Sequence, residues 1–221
     1  MRVVVVAPHM DDEVLGCGGV MARHADEGAE VHVVIATRGI PELFPAELVA
    51  RGRAELAEAH RVLGVAGVRF LDFPAPRLDT VPRHELADAL SRVFHELQPS
   101  VLYLPHHGDI HADHGHVYHA GLVAARPLAN CPVRKILCYE TLSETEWTPP
   151  IDGAMFFPTV FVNIERQLQR KLDAMACYAS QLKQPPSPRS LECLKALAHL
   201  RGSTIHAHAA EAFELVREIV D

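Results

Sequence analysis

The sequence VVVVAPHMDDEVLGCGG, residues 3–19, combines a buried strand, a charged cluster and a small-residue helix start in one run. Four consecutive β-branched valines favour a strand that is buried on both faces. One imidazole and three carboxylates follow within five positions, at His9 and at Asp11 to Glu13. In open α/β sheets, ligands bind at the carboxyl ends of strands, where this cluster falls. Because adjacent carboxylates repel one another unless a cation offsets the repulsion, the run predicts half of a metal site.

Strand and helix patterns alternate through the first two thirds of the chain. The predicted strands are Val3–Val6, Val31–Ala36, Val68–Leu71, Val101–Leu104 and Arg134–Tyr139, and the predicted helices are Gly16–Glu27, Glu47–Leu63, Arg83–Leu97 and Gly115–Ala125. Strands that alternate with amphipathic helices imply a mainly parallel sheet with helices on both faces. We therefore predict an α/β fold of Rossmann-like architecture.

The pattern changes in the last third of the chain. The predicted elements there are a strand at Val160–Val162, a long helix over Glu165–Leu182, a helix over Ser190–Leu200 and a segment, Glu211–Val220, that fits a helix or a strand equally well. We expect a single domain over residues 1–221, with a Rossmann-like core at 1–140 and a C-terminal extension of the same domain at 141–221.

Composition and charge restrict the class of protein. The chain has 221 residues, of which 48% are hydrophobic and 22% charged, as in globular and not in disordered proteins. A net charge of −7 without a Lys/Arg run argues against a nucleic-acid partner or an anionic membrane surface. The apolar stretch at Val3–Ala7 is too short for a signal peptide, and no later stretch reaches transmembrane length. Five cysteines without C-x-x-C spacing favour reduced thiols and a cytoplasmic location.

A second cluster of histidines follows another predicted strand. Residues 106–119 read HHGDIHADHGHVYH and hold six of the fifteen histidines of the chain. If the two strands are neighbours, this cluster lies beside the first. His9 and Asp12 are three positions apart across a turn into a helix and can reach one ion. A histidine from the second cluster would complete a three-ligand zinc site that leaves one position open for water.

The two clusters resemble the motifs of a known family. A-P-H-M-D-D-E-V-L-G-C-G-G at residues 7–19, followed by H-A-D-H at residues 111–114, is similar to the PIG-L/LmbE-like zinc-dependent de-N-acetylases. Weaker matches at Thr37–Gly39, in the helix around Glu55 and at Ser180–Gln181 extend the resemblance over essentially the whole chain. It implies a hydrolase that removes acetyl from an N-acetylated amino sugar of the N-acetylglucosamine type, or from its conjugate. It also implies that the chain forms a homo-oligomer and that its binding partner is a small-molecule substrate.

The resemblance assigns the metal ligands and the base. It implies that His9, Asp12 and His114 bind one Zn²⁺ per chain and that Asp11 is the general base. The chemistry agrees, because zinc lowers the pKa of bound water to about 7. Asp11 is next to a ligand and can take the water proton without being bound to the ion.

The resemblance also assigns the group that faces the developing oxyanion. This group is His111, paired with Asp113. A carboxylate beside His111 would favour an imidazolium, which is a good partner for an oxyanion. The leaving amine also needs a proton, and either Asp11 or His111 can return it.

Three departures from the family pattern concern the surroundings of the site. Met10 stands where the family usually has proline. Gly52 stands where the helix motif usually has arginine, and it is flanked by Arg51 and Arg53. We assign substrate binding to Arg53, with Arg51 as the alternative. Asp109 stands where some relatives carry a tyrosine two residues before the oxyanion histidine.

Two other functions compete with this interpretation. Metallo-β-lactamase-like hydrolases and phosphoesterases share an H-x-H-x-D-H motif, but residues 109–114 read D-I-H-A-D-H, with aspartate where the first histidine is required. That class would also leave the carboxylate cluster at residues 11–13 without a purpose. The other alternative is a non-catalytic, metal-dependent sugar-binding module. The presence of Asp11 argues against it, because binding alone would not need a base that is not a ligand.

Overall fold

The computed structural model describes residues 1–128, 131–151 and 153–220. Its strands are β1 (Arg2–Ala7), β2 (Glu30–Gly39), β3 (Gly67–Ala75), β4 (Val101–Pro105), β5 (Lys135–Tyr139), β6 (Val160–Asn163) and β7 (Ala210–Glu218). Its helices are α1 (Asp12–Asp26), α2 (Ala46–Leu63), α3 (Arg83–Leu97), α4 (Ala112–Ala124), α5 (Leu168–Cys177) and α6 (Leu191–Ser203), with a short 3-10 turn at Leu78–Thr80. Within these ranges no helix has both the length and the apolar character needed to cross a membrane.

The strands form one seven-stranded sheet in the order β3-β2-β1-β4-β5-β7-β6. The pairs from β3 to β5 are parallel, and β7 is antiparallel to both β5 and β6. Alternate residues of β1 contribute to two separate cores, Val3 and Val5 to one and Val4 and Val6 to the other. Residues of α1, α2 and α5 belong to the first core, and residues of α3 and α4 to the second. The predicted α/β fold, with a mainly parallel sheet and helices on both faces, is confirmed.

Several elements differ in their bounds from the prediction, and the outcome for three segments has a clear physical reason. Helix α1 begins at Asp12 instead of Gly16, and its first turn contains two carboxylates, which the helix dipole favours there. The predicted helix 165–182 is reduced to α5, because turns closed by the carbonyl of Tyr178 replace its last part. The ambiguous segment after Glu211 is a strand, since it pairs with β5 on one side and β6 on the other. Tertiary pairing decides such cases over local propensity.

The small residues at the start of α1 let the helix lie close to its neighbours. A Cβ at Gly16 would overlap the ring of Tyr139 in β5, and one at Gly19 would lie 2.5 Å from Ile164 Cδ1. The Tyr139 hydroxyl donates to the Val6 carbonyl at 2.9 Å, which ties β5 across β4 to β1. These glycines are therefore required by close packing, and the packing fixes the N-terminal end of α1 at the carboxyl edge of the sheet.

The C-terminal strands belong to the same sheet as the N-terminal ones. β6 and β7 come from the predicted extension, and β5 from the predicted core, yet β7 pairs with both. The division of a single domain at residue 140 stays a prediction.

Candidate metal centre and active site

Three side chains from the two predicted clusters converge at the carboxyl edge of the sheet. β1 and β4 are neighbours in register, which brings the residues that follow them together. Asp12 Oδ2 lies 3.2 Å from His9 Nδ1 and 3.4 Å from His114 Nε2. Asp12 and His114 are fully buried, and His9 is partly exposed. One potential ligand atom from each of the three residues lies within 4.8 Å of the others, a spacing that one ion can bridge.

Two buried atoms in this cluster make no hydrogen bond by geometry, although His114 Nε2 lies within ion-pair distance of Asp12 Oδ2. Asp12 Oδ1 and His114 Nε2 accept or donate no hydrogen bond within the described residues. A buried polar atom without a partner costs about 1–3 kcal/mol, so such atoms are uncommon in folded proteins. Two nitrogens and one carboxylate are a donor set that a catalytic zinc ion takes while keeping one position open. The residues therefore fit a zinc ion.

The ionisation of the cluster also favours a cation. Burial acts to lower the pKa of His9 and of His114, but the neighbouring carboxylates outweigh it and raise these pKa values to about 9 and about 10. Burial acts to raise the pKa of Asp12, but His114 and His9 outweigh it and hold this pKa well below its usual range. The cluster thus binds positive charge strongly. A divalent metal would take the place of the protons on the histidines.

Each histidine of the cluster presents its second nitrogen to a carboxylate. His114 Nδ1 lies 2.8 Å from Asp109 Oδ2, and His9 Nε2 lies 3.1 Å from Asp113 Oδ2. Carboxylate–histidine–metal arrangements of this kind fix the tautomer and the ring orientation of metal ligands. Asp109, which the sequence analysis left without a role, is therefore placed to orient His114.

The predicted pairing of His111 with the carboxylate of Asp113 is wrong. His111 is the N-cap of α4, and its Nδ1 accepts the backbone N–H of Asp113 at 3.2 Å. The carboxylate of Asp113 instead contacts His9 and accepts the backbone N–H of Leu78 at 3.1 Å. At a helix start, the backbone N–H two residues on, and not the side chain there, comes within reach of the N-cap residue. Sequence adjacency therefore misassigned the partner.

This contact changes the expected charge of His111. An Nδ1 that accepts a hydrogen bond leaves the proton on Nε2, so the ring is neutral and still a donor. Burial, followed by the charge of His9, lowers the pKa of His111. The predicted imidazolium is therefore not supported, and a neutral imidazole takes its place. His111 also forms a second possible metal group with His9 and Asp113, which provides an alternative ligand set.

Asp11 lies next to the triad in an unusual backbone conformation. Its φ is 104°, in the left-handed region, and its backbone N–H donates to Glu13 Oε2 at 3.0 Å. Arg189 Nη1 donates to Asp11 Oδ2 at 2.6 Å. Burial raises the pKa of Asp11 to about 8, although Arg189 acts to lower it. A carboxyl group with a pKa near neutrality is suited to accept and return a proton.

Arg189 is a residue of the site that was not predicted from the sequence. Its guanidinium also donates to Ser143 Oγ at 2.8 Å and lies 3.6 Å from Glu144. The arginine follows a proline-rich stretch at residues 184–188, far in sequence from either cluster. No periodicity or motif marks it, and only the tertiary fold brings it to Asp11.

Arg53, which the sequence analysis assigned to substrate binding, does not reach the site. Its Nη2 donates to Asp72 Oδ1 at 2.5 Å, and its guanidinium lies 4.4 Å from the centre of the Phe70 ring. Arg51 pairs with Glu55 at 2.9 Å on the exposed side of α2. Both arginines are outside the described residues that line the pocket beside the triad. Ion pairing along α2 and with β3 holds them away from it.

A pocket of about 220 Å³ opens beside His9, Asp11 and His111. Its lining combines polar and apolar side chains. The polar ones include Glu144, Tyr178, Gln181 and Arg189, and the apolar ones include Met10, Phe44, Leu48, Val49 and Pro76. The pocket therefore places a cleft with both polar and apolar lining directly beside the candidate metal centre.

Comparison with known proteins identifies similar chains. A family model described as PIG-L: GlcNAc-PI de-N-acetylase matches residues 4–125. The 1D-myo-inositol 2-acetamido-2-deoxy-alpha-D-glucopyranoside deacetylase of Kineococcus radiotolerans is 35% identical over 155 residues, 54% of this chain and 43% of the relative. A probable N-acetyl-alpha-D-glucosaminyl L-malate deacetylase 2 of Bacillus cereus is 26% identical over 190 residues, 81% of this chain and 83% of the relative. The match thus spans less than half the length of the first relative.

Solved structures share the fold over the full chain. The conserved protein TT1542 from Thermus thermophilus has a TM-score of 0.77 at 28% identity, covering 99% of this chain and 96% of that one. The 4-carboxy-2-hydroxymuconate hydratase of Pseudomonas putida has a TM-score of 0.79 at 21% identity, covering 100% and 98%. At that identity the likeness shows the fold alone. Since this neighbour is named for a hydration, the reaction has to be argued from the site.

Proposed function

Because the chain belongs to the PIG-L, or GlcNAc-PI de-N-acetylase, family, we propose that it is a zinc-dependent hydrolase that removes the acetyl group from an N-acetylated amino sugar or its conjugate. The observation that carries the proposal is the convergence of His9, Asp12 and His114, with two buried atoms that make no hydrogen bond, beside the pocket. Both relatives described above are named as deacetylases of N-acetylated glucosamine conjugates.

The residues that would hold the metal are His9, Asp12 and His114. The chemistry that a bound zinc ion supplies is a water whose pKa falls to about 7. Asp109 and Asp113 orient the two histidines and keep their metal-facing nitrogens free of protons. One Zn²⁺ per chain follows from this set of three ligands.

Asp11 moves the proton in the proposed reaction. The oxygen of the attacking water bonds to the acetyl carbonyl carbon while Asp11 accepts the proton that the water loses. The C–N bond then breaks as the sugar nitrogen takes up a proton, which gives acetate and a free amine. Because the pKa of His111 is lowered and that of Asp11 is raised, Asp11 is the better choice for returning the proton.

His111 stabilises the carbonyl oxygen as negative charge develops on it. Its Nδ1 is occupied by the backbone N–H of Asp113, so Nε2–H is the available donor. A neutral donor held in place before the reaction needs no rearrangement when the charge appears. Arg189, which also lines the pocket, keeps the Asp11 carboxylate in position by an ion pair.

Release of acetate tests the proposal directly. Metal-loaded protein is incubated with N-acetylglucosamine, its methyl glycoside and N,N′-diacetylchitobiose, and free acetate and free amine are measured together. We expect equal amounts of both products, their loss on chelation and their return when zinc is added back. Sugar binding without acetate release would instead support a non-catalytic module.

The carboxylates behind the histidines should control metal affinity. We expect Asp109→Asn to weaken zinc binding about 10–100-fold, because an amide orients His114 less firmly and lowers its basicity. Asp113→Asn should act in the same direction through His9. Zinc affinity is measured by competition with a chromophoric chelator. Asp88→Asn, on the exposed side of α3, is the matched control. Unchanged affinity in Asp109→Asn would contradict the role of this carboxylate.

Removal of the oxyanion donor should affect the rate and not the metal. We expect His111→Ala to lower kcat about 10²–10³-fold with little change in KM, because the donor acts on charge that develops in the transition state. Zinc content is measured in the same preparation by elemental analysis. If this variant loses its zinc, the alternative set of His9, His111 and Asp113 holds the metal instead.

A further inference from the structure

Five apolar side chains line the pocket beside the candidate metal centre. Phe44, Leu48, Val49 and Pro76 come from the start of α2 and the loops beside β2 and β3, and Met10 from the turn before α1. Leu48, which lines the pocket, keeps 39% of its surface exposed, which is unfavourable for an apolar side chain in water. Apolar surface left open at the rim of a cleft is typical of a ligand-binding site.

Met10 and Gly52 together shape the apolar part of the pocket lining. A Cβ at Gly52 would lie 2.8 Å from the Met10 Cε atom, so the end of the methionine occupies the space above this glycine. Glycine inside a helix is less favourable than alanine. At position 52 it lets the flexible thioether lie against α2 and extend the apolar surface. Gly52 therefore makes room for the Met10 side chain in the pocket lining.

Charges in the pocket disfavour an anionic substituent. Among the described lining residues, Arg189 is the single lysine or arginine. Its guanidinium is already bound to Asp11 and Ser143, with Glu144 nearby. Away from the metal centre, a carboxylate or phosphate on the substrate would meet Asp11 and Glu144 without an unengaged lysine or arginine among the described lining residues. Burying such a charge unpaired is strongly unfavourable.

We infer that the substrate carries a neutral hydrocarbon group next to its acylated amino sugar, seated against Met10, Leu48 and Val49. This inference rests on the proposed function and narrows its substrate class. The same hydrocarbon could be a glycoside substituent at the anomeric carbon or an N-acyl chain longer than acetyl. Anionic conjugates, such as a glucosaminyl malate or a sugar phosphate, are poor substrates by the same reasoning.

Two substrate series distinguish a glycoside substituent from a longer N-acyl chain as the hydrocarbon group. One series contains the methyl, butyl and hexyl glycosides of N-acetylglucosamine, each anomer separately. The other contains methyl glucosaminides with acetyl, butanoyl and hexanoyl groups on nitrogen. We expect kcat/KM of the metal-loaded protein to rise about tenfold or more from the shortest to the longest member of one series, since each buried methylene favours transfer from water. N-acetylglucosamine 1-phosphate should be at least tenfold poorer than the methyl glycoside.

Leu48→Ser locates the hydrocarbon in the pocket, and Leu43→Ser is its matched control. Leu43 is 56% exposed in the preceding loop and outside the pocket lining, so both substitutions leave the core intact. We expect Leu48→Ser to reduce the ratio of kcat/KM between the longest and shortest substrates at least threefold. Leu43→Ser should keep that ratio. Equal ratios in the two variants would overturn the placement of the group.

The experiments give different results when the hydrocarbon site is absent and when the protein is not a deacetylase. Acyl release with no dependence on chain length in either series overturns the apolar site and leaves the deacetylase standing. If no sugar releases its acyl group, the proposed function fails. The hydrocarbon site is then tested by the affinity of the protein for the glycosides. Titration calorimetry with the hexyl and methyl glycosides then measures the preference, and equal affinities overturn it.

Discussion

Replacing Asp11 with asparagine is expected to lower kcat for acetate release about 10²–10⁴-fold while the protein keeps its metal. The amide has the size of the carboxyl group but cannot take the proton of the attacking water. Asparagine also tolerates the left-handed φ of 104° at this position, so the start of α1 is retained. The backbone N–H that donates to Glu13 is unchanged. The loss in rate therefore reports on proton transfer.

Asp12→Asn is the neighbouring control for this substitution. Asp12 belongs to the proposed ligand set, and a neutral amide is a poor zinc ligand, so its zinc content should fall. Elemental analysis and steady-state kinetics of both variants are measured on the same preparations. Equal loss of zinc in Asp11→Asn and Asp12→Asn would contradict the separation of base and ligand.

The sequence was sufficient to predict the convergence at the metal centre. His9 and Asp12 follow a strand of four valines, which is recognisable as buried on both faces. His114 follows another strand, and parallel neighbours place their carboxyl ends at one edge. Short-range spacing and general sheet topology are therefore sufficient to predict that these three residues converge. The roles of these residues stay proposals.

Side-chain direction and long-range contacts could not be predicted. The carboxylate of Asp113 contacts His9, and His111 accepts only the backbone N–H of Asp113, because the geometry of the N-cap, and not closeness in sequence, decides which atoms meet. Arg189 reaches Asp11 from a loop 178 residues later in the chain. The position of β7 between β5 and β6 depends on pairing that a single segment does not encode. Each of these features is set by tertiary packing.

A buried ion pair away from the metal centre contacts the interior of α1. Lys171 Nζ, in α5, donates to Glu211 Oε1 in β7 at 2.5 Å and to the Leu15 carbonyl at 2.8 Å. Glu211 accepts the backbone N–H groups of Gly19 and Val20 at 2.8 and 2.6 Å. The side chains of Lys171 and Glu211 are only 3% and 4% exposed. Two buried charges thus exchange hydrogen bonds with the interior of the helix whose first residues form the candidate site.

Lys171→Met is expected to lower the free energy of unfolding by about 3–5 kcal/mol, because it leaves Glu211 as a buried carboxylate without its cation. Urea denaturation measures the loss, and Lys195→Met, on the exposed side of α6, should change stability by no more than about 0.5 kcal/mol. Adding Glu211→Gln to Lys171→Met removes the uncompensated charge and should recover part of the loss. A double variant no more stable than Lys171→Met would show that the lysine acts through its bond to Leu15 and its packing, and not through the charge of Glu211. Recovery of stability in the double variant would show that Lys171 and Glu211 act as a pair, in which each charge offsets the cost of burying the other.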